Sequence, residues 1–477
     1  MISVALRNLR HRPGGFVATF LTAFLGAALL MAFASLLDTA NAASLPSAAS
    51  LPGSASLPSA ASLPSAASLP DAAASSADSL STTAAVGGGW CLIIVAFAVT
   101  STLSLAIRQR ADQVALLRRI GATRGQLRRM ILGEAAAVAL LAATAAIPLG
   151  LALGRLLLSL LRDTGQAAPS TSFVFGPTAF GVGFGVTLLG SLIAGVATAR
   201  RTVFASPSAS SPPVSSGARS RPLFRRIAAA FFLAVGANCA VLTATLMDGK
   251  GIDAMQTGGQ AGIWASVGLA LLAPELLRLV TLLLGGVVRL VGGAPGELAV
   301  LAVRGRQLGS AVMPVLFFTG IATGTVYMQG IENRAAIGSV EPSYAQDVKT
   351  LNYVVVGMLT LFVAIMLVNT LIAGTVRRRR EFAQQRLAGA TRGQLLAMVG
   401  LEGLLVTITG VLGGSIASLF TILPFASARA DRLWPDATPL PYLAIVAVAA
   451  TLTGAAMIGA TRRVVRGPAT AGVGLPA

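Results

Sequence analysis

The chain is 477 residues long, 55% hydrophobic and only 11% charged, where an ordinary soluble domain carries about 25% charged residues. That balance excludes a soluble globular domain and implies an all-α integral membrane protein, because several apolar runs reach the roughly 20 residues that one bilayer crossing needs. The net charge of +19 does not imply a nucleic-acid partner, because the arginines lie in short segments between apolar runs and read as topology signals.

Arg7, Arg10 and Arg12 precede an apolar run over 16–37. It is longer than the core of a cleavable signal and reads as a first span with its N-terminus in the cytosol. His11, the single histidine, sits among these arginines, where no catalytic or ligand role is expected. Residues 44–73 follow as five Ser-Leu-Pro hexapeptides, with Pro46, Pro52, Pro58, Pro64 and Pro70 six apart. Such a segment cannot bury a core and is expected to be disordered or polyproline-like. It reads as an expanded spacer outside the membrane, or alternatively as a tether through the cell envelope.

The remaining spans are predicted at 86–107, 131–153, 173–198, 227–247, 263–288, 311–330, 351–373, 397–419 and 441–460, about ten in all with the first. Cys91 and Cys239 fall inside apolar runs, so neither a disulfide framework nor a metal site is expected. The segment 263–288 contains Pro274, Glu275 and Arg278. Glu275 and Arg278 are i,i+3 on a helix; they read as a structural pair, or as a polar point on a transport path. With ten spans both termini share one side. The segments then placed inside hold 28 Lys and Arg, and those placed outside hold 7, the bias that cytosolic loops carry. Both termini are therefore expected in the cytoplasm, and no large extracytoplasmic domain is expected.

A seven-residue word, Gly-Ala-Thr-Arg-Gly-Gln-Leu, occurs at 121–127 and again at 389–395. At that offset Arg110 falls on Arg378, Arg118 on Arg386, Gly121 on Gly389 and Glu134 on Glu402. The words follow spans 2 and 8, so the repeats are parallel, unlike the inverted repeats of many secondary transporters. The chain thus divides into a first half at 1–204, a flexible linker at 205–226, two intervening spans at 227–292 and a second half at 293–477. The word itself punctuates helices. An arginine-rich helix ends at Gly121 or Gly389 in a left-handed cap. Thr123 with Gln126, and Thr391 with Gln394, then form capping boxes for the next helix. Leu116, Leu117 and Ile120, like Phe382 and Leu387, give the first helix of each unit an apolar side. That helix either lies on the membrane surface or docks a partner. Glu134 and Glu402 mark the membrane boundary, held either by a helix N-terminus or by clamping an arginine of the preceding helix; a proton relay is the less favoured reading.

These residues resemble the FtsX-like permease family, membrane subunits of a class of ABC transporters. The resemblance rests on the Leu117–Gln126 stretch followed by Glu134, and on Arg386–Gln394 followed by Glu402, together with the Arg-Asn-Leu-Arg start and Pro13. It implies a type VII ABC transporter-like fold in two halves, and a partner: an ABC ATPase subunit, in two copies, that binds ATP and magnesium. The chain has no Gly-x-x-x-x-Gly-Lys-Ser/Thr loop of its own. No cofactor is therefore expected in this chain, and it is not expected to be an enzyme. The family's coupling helices correspond to 108–122 and 376–390. The residues so implied in ATPase coupling are Arg110, Arg118, Arg119, Gly121, Thr123 and Gln126 in the first half. In the second half they are Glu381, Arg386, Gly389, Thr391 and Gln394. The chain departs from the family where Gln113 stands opposite Glu381, so unequal docking is expected. The implied function is ATP-driven export or extraction of a lipid, peptide or drug across a bacterial plasma membrane. The alternatives are mechanotransmission without transport, and ATP-independent secondary transport.

Overall fold

The computed structural model describes residues 17–44, 68–108, 121–163, 165, 167–203, 222–248, 252–305, 309–336, 342–376, 378–430 and 438–467. Most of the Ser-Leu-Pro repeat, residues 204–221, which take in most of the linker expected at 205–226, and residues 109–120 lie outside them, and with those last go Arg110, Gln113, Arg118 and Arg119, while 222–226 of that linker belong to the helix that starts at Pro222. Among the described residues there is no strand. The helices are α1 (Val17–Ser44), α2 (Ser68–Arg108), α3 (Arg124–Asp163), α4 (Pro177–Val203), α5 (Pro222–Thr245) and α6 (Ile252–Leu271). They continue as α7 (Ala273–Gly305), α8 (Gly309–Ala336), α9 (Pro342–Val376), α10 (Arg379–Leu387), α11 (Arg392–Ala430) and α12 (Leu440–Val465). Ten of these are long and apolar enough to cross a membrane, which makes this an all-α membrane protein.

The two halves repeat one packing scheme. In the first, α1 is central and touches α2, α3 and α4, while α4 also packs on α2 and α3. In the second, α8 is central and touches α9, α11 and α12, while α12 also packs on α9 and α11. Within each half the central helix and the long helix that follows the repeated word, α3 or α11, run in the same direction. Gly150 and Gly154 of α3 meet Met31 and Ser35 of α1 in order, and Gly410 and Gly414 of α11 meet Val315 and Thr319 of α8. Small residues four apart let two helices approach closely where no hydrophobic force between them is available, as in lipid. α3 and α11 are 40 and 39 residues long, about twice what a bilayer requires. Their first turns stand beyond the apolar layer, at the arginine-rich end that carries the repeated word.

The opposite end is tied differently in each half. The buried Asp38 carboxylate accepts backbone N–H bonds from Gly176 (3.0 Å), Thr178 (3.1 Å) and Ala179 (2.8 Å). A carboxylate of α1 thus caps the positive N-terminus of α4. In the second half Arg429 of α11 donates to both oxygens of Glu332 of α8, at 2.9 and 3.1 Å.

Three expectations change. First, α2 starts at Ser68, so the end of the Ser-Leu-Pro repeat is helical, and Ser76 accepts a hydrogen bond from the Ala168 N–H at 2.9 Å. Second, the span expected at 263–288 is broken at Leu272, between α6 and α7. α6 alone returns along α5: Thr243 bonds Thr257 at 2.9 Å, and Gly236 and Gly268 sit against Ala265 and Ala229. α7 then begins beside the first residue of α8, Pro274 against Gly309, and folds back on itself at Gly293 (φ 53°, ψ −136°), with Gly285 against Val300. Both its ends therefore lie at the start of α8. α7 is one of the ten helices apolar enough to cross and α6 is not, because α6 contains Gln256, Thr257, Gln260 and four glycines; the packing of α6 along α5 and the fold-back of α7 nevertheless make α6 the helix that runs through the bundle. Third, Glu275 does not pair with Arg278. It is an ion-pair partner of Arg225, and Arg226 lies 3.7 Å away, so it fastens the α6–α7 junction to the first turn of α5.

Candidate functional site

The arginine-rich end of the second half is built around α10. This nine-residue helix turns off α9 and buries Phe382 and Ala383. Its end is a Schellman motif: the Ala390 N–H reaches the Gln385 carbonyl at 3.0 Å and the Gly389 N–H reaches the Arg386 carbonyl at 3.1 Å. The motif needs a left-handed residue, and Gly389 has φ 98°. The capping box follows at once. The Thr391 N–H donates to the Gln394 side chain at 2.9 Å, and the Gln394 N–H to the Thr391 hydroxyl at 3.2 Å.

The first half repeats this turn. Gly121 has φ 97°, the Thr123 N–H meets the Gln126 side chain at 3.0 Å, and the Gln126 N–H meets the Thr123 hydroxyl at 3.3 Å. Leu127 and Leu395, which close the word, are both buried. The identical word thus makes an identical turn twice. A Cβ at Gly121 or Gly389 would meet no neighbour within 4 Å, so backbone strain alone opposes a side chain there. Gly121→Ala and Gly389→Ala are each expected to lose about 1–2 kcal/mol of stability, read as equal falls in the thermal midpoint in detergent. A neutral result at either position would show that its turn does not require the left-handed conformation.

Arg378, between α9 and α10, organises the site. Its guanidinium faces both oxygens of Glu402, with Nη2 at 2.9 Å from Oε1, and also reaches Glu381 at 3.1 Å. It lies 4.9 Å above the Phe382 ring, a cation–π position. Burial pulls the Arg378 pKa down, but the hydrogen bonds and charges of Glu402 and Glu381 outweigh it and hold the group above its ordinary value. This arginine was not singled out beyond its alignment with Arg110, although that match was the available signal.

Glu402 is fully buried, ten residues into α11. A helix dipole acts within the first turn, so the N-terminal reading of Glu402 gives way to the arginine clamp. Glu134 is likewise buried and ten residues into α3; Arg110, which the repeat aligns with Arg378, lies outside the described residues.

Arg386 donates to the carbonyls of Val465 (3.1 Å) and Gly467 (2.6 Å). It therefore holds α10 against the C-terminal end of α12, where a cation satisfies free carbonyls. Leu387 is exposed rather than apolar-side. The outward surface is formed by Arg379, Arg380, Gln384 and Leu387, continued by Thr391, Arg392 and Gln394. Among the described residues no group of His, Cys, Asp and Glu could hold a metal ion.

A family model, that of the FtsX-like permease C-terminal domain, matches the chain twice, over residues 86–203 and 353–469. Each match contains one copy of the repeated turn, and they run from within α2 to the end of α4 and from within α9 to the end of α12. Comparison with curated proteins finds no match.

Proposed function

This chain belongs to the FtsX-like permease family, membrane subunits of ABC systems, and from that premise we propose that it couples ATP hydrolysis by a separate ATPase dimer to movement of an amphiphile. The observation that carries this reading is α10. It is a short helix outside the apolar layer, fixed to α11 by Arg378–Glu402 and to α12 by Arg386, with Arg379, Arg380 and Gln384 facing outward. A push on such a helix is transmitted to two spanning helices at once. The first half supplies the matching turn at Gly121–Leu127, so one chain offers two docking points to two ATPase subunits.

The bias of 28 basic residues against 7 supports a cytosolic position for the arginine-rich end and both termini, and the membrane in this reading is a bacterial plasma membrane. ATP and magnesium belong to the partner, and the cargo class is a lipid, peptide or drug that partitions into the bilayer. The connections at the opposite end are too short to hold a substrate-capturing domain, which favours direct uptake from the membrane over signalling to an envelope enzyme. The test is co-expression with an ABC ATPase, purification in lipid nanodiscs and measurement of ATP turnover. A complex with raised ATPase activity is expected. A chain that moves its cargo on an ion gradient in vesicles free of any ATPase would overturn the reading.

A further inference from the structure

The repeats are alike, but the two seams between them are not. On one side α9 of the second half packs directly on α1 and α3 of the first. The pseudo-symmetric seam would bring α2 against α8 and α11. Phe97 of α2 does stack on Phe317 of α8, with ring centroids 4.3 Å apart. Between α2 and α11, however, the chain inserts α6. Trp90 of α2 lies on Gly259, and its indole N–H donates to the Gln256 carbonyl at 3.3 Å. Another face of the same helix sets Gly262 against Thr421 and Gly258 against Phe425 of α11. Ser266, buried, meets Gly320 of α8.

α6 is enclosed along its length. Ala254, Ala261, Ala265, Ser266 and Ala270 are buried. α5 covers its remaining side, where Trp264 stacks on Phe232 at 5.5 Å. α5 itself turns Phe231 and Val241 outward. A helix surrounded by protein need not be apolar, whereas one facing lipid must be. The polar, glycine-rich composition of α6 and the apolar surface of α5 fit these two positions. Glycines at 258, 259 and 262 remove the side chains that would hold the neighbours apart, so the fit is close on both faces.

We infer that α6 is a fixed wedge that seals one of the two seams. Opening during the transport cycle, and entry of a bilayer-dissolved amphiphile, are thereby confined to the seam of α9 with α1 and α3. The cyclic part of this inference rests on the transporter reading above; the sealing does not.

Two measurements on the full chain separate them. With Trp264→Phe and Trp434→Phe, Trp90 is the sole tryptophan and reports on the sealed seam. In vesicles of phospholipids brominated on their acyl chains, its fluorescence should remain unquenched, with or without ATPase and nucleotide. Quenching would overturn the wedge whatever the protein transports. In a Cys91→Ser, Cys239→Ser background, Trp90→Cys and Gly259→Cys are bridged by a short bifunctional thiosulfonate. Bridged protein should stimulate the ATPase without loss, and loss restored by a reducing agent would overturn the wedge. If the unbridged protein stimulates no ATPase, the transporter reading fails, and Trp90 quenching still decides the seam.

Discussion

Glu402→Gln should abolish stimulation of the partner ATPase and destabilise the chain by about 3–5 kcal/mol, the range for removing one member of a buried ion pair. Glu402 has no exposed surface, and Arg378 is only 12% exposed. The substitution leaves the guanidinium buried with Glu381 as its remaining carboxylate. The loss should therefore appear first in α10, as faster hydrogen exchange over 379–387, and then in the thermal midpoint. Glu402→Leu combined with Arg378→Met removes both buried charges. It should recover most of the stability, because apolar residues of similar volume replace buried pairs at little cost. It should not recover stimulation, because α10 is no longer fixed to α11. A single variant that melts normally and stimulates fully would show that the clamp transmits nothing.

Arg379→Glu with Arg380→Glu should have the opposite signature. Both residues are exposed and neither takes part in the Arg378 clamp or the α12 contact. The thermal midpoint should stay where it is, while ATPase affinity falls on the order of tenfold or more, with a strong dependence on salt. Unchanged affinity would remove the outward face of α10 from the docking surface. Arg386→Glu is the less informative choice. It would place a carboxylate against the carbonyls of Val465 and Gly467, so lost stimulation could follow from the detachment of α12. Glu381 also changes meaning. It is turned inward on Arg378, so the Gln113–Glu381 difference between the halves bears on the strength of the clamp rather than directly on docking.

The turns were legible in the sequence because their causes are local. A positive-φ glycine, and a threonine three residues before a glutamine, carry their geometry within seven residues, and both copies adopt it. The boundary carboxylates were only half legible. Their position near a span left a helix N-terminus and an arginine of the preceding helix both open, and only the length of α11, which begins ten residues before Glu402, together with its contact to Arg378, decides for the arginine in the second half. Leu387 was misjudged for a related reason. The helix is short, and Phe382 with Ala383 already fills its buried side. The sixth crossing was not legible in the composition. Hydropathy measures fitness for lipid, and α6 faces protein, while the apolar α7 that follows folds back at Gly293.

By itself, the sequence determined what depends on solvent and on near neighbours: an all-helical membrane chain, two parallel repeats, the charge bias between the two sides and the capped turn in each half. The tertiary structure alone decided which arginine Glu402 holds, that Arg386 secures α12, and that α6 rather than α7 fills the space between the repeats. Those outcomes depend on contacts between segments far apart in the chain, where a buried charge takes the partner that packing brings to it and a polar helix is tolerated once its neighbours shield it from lipid.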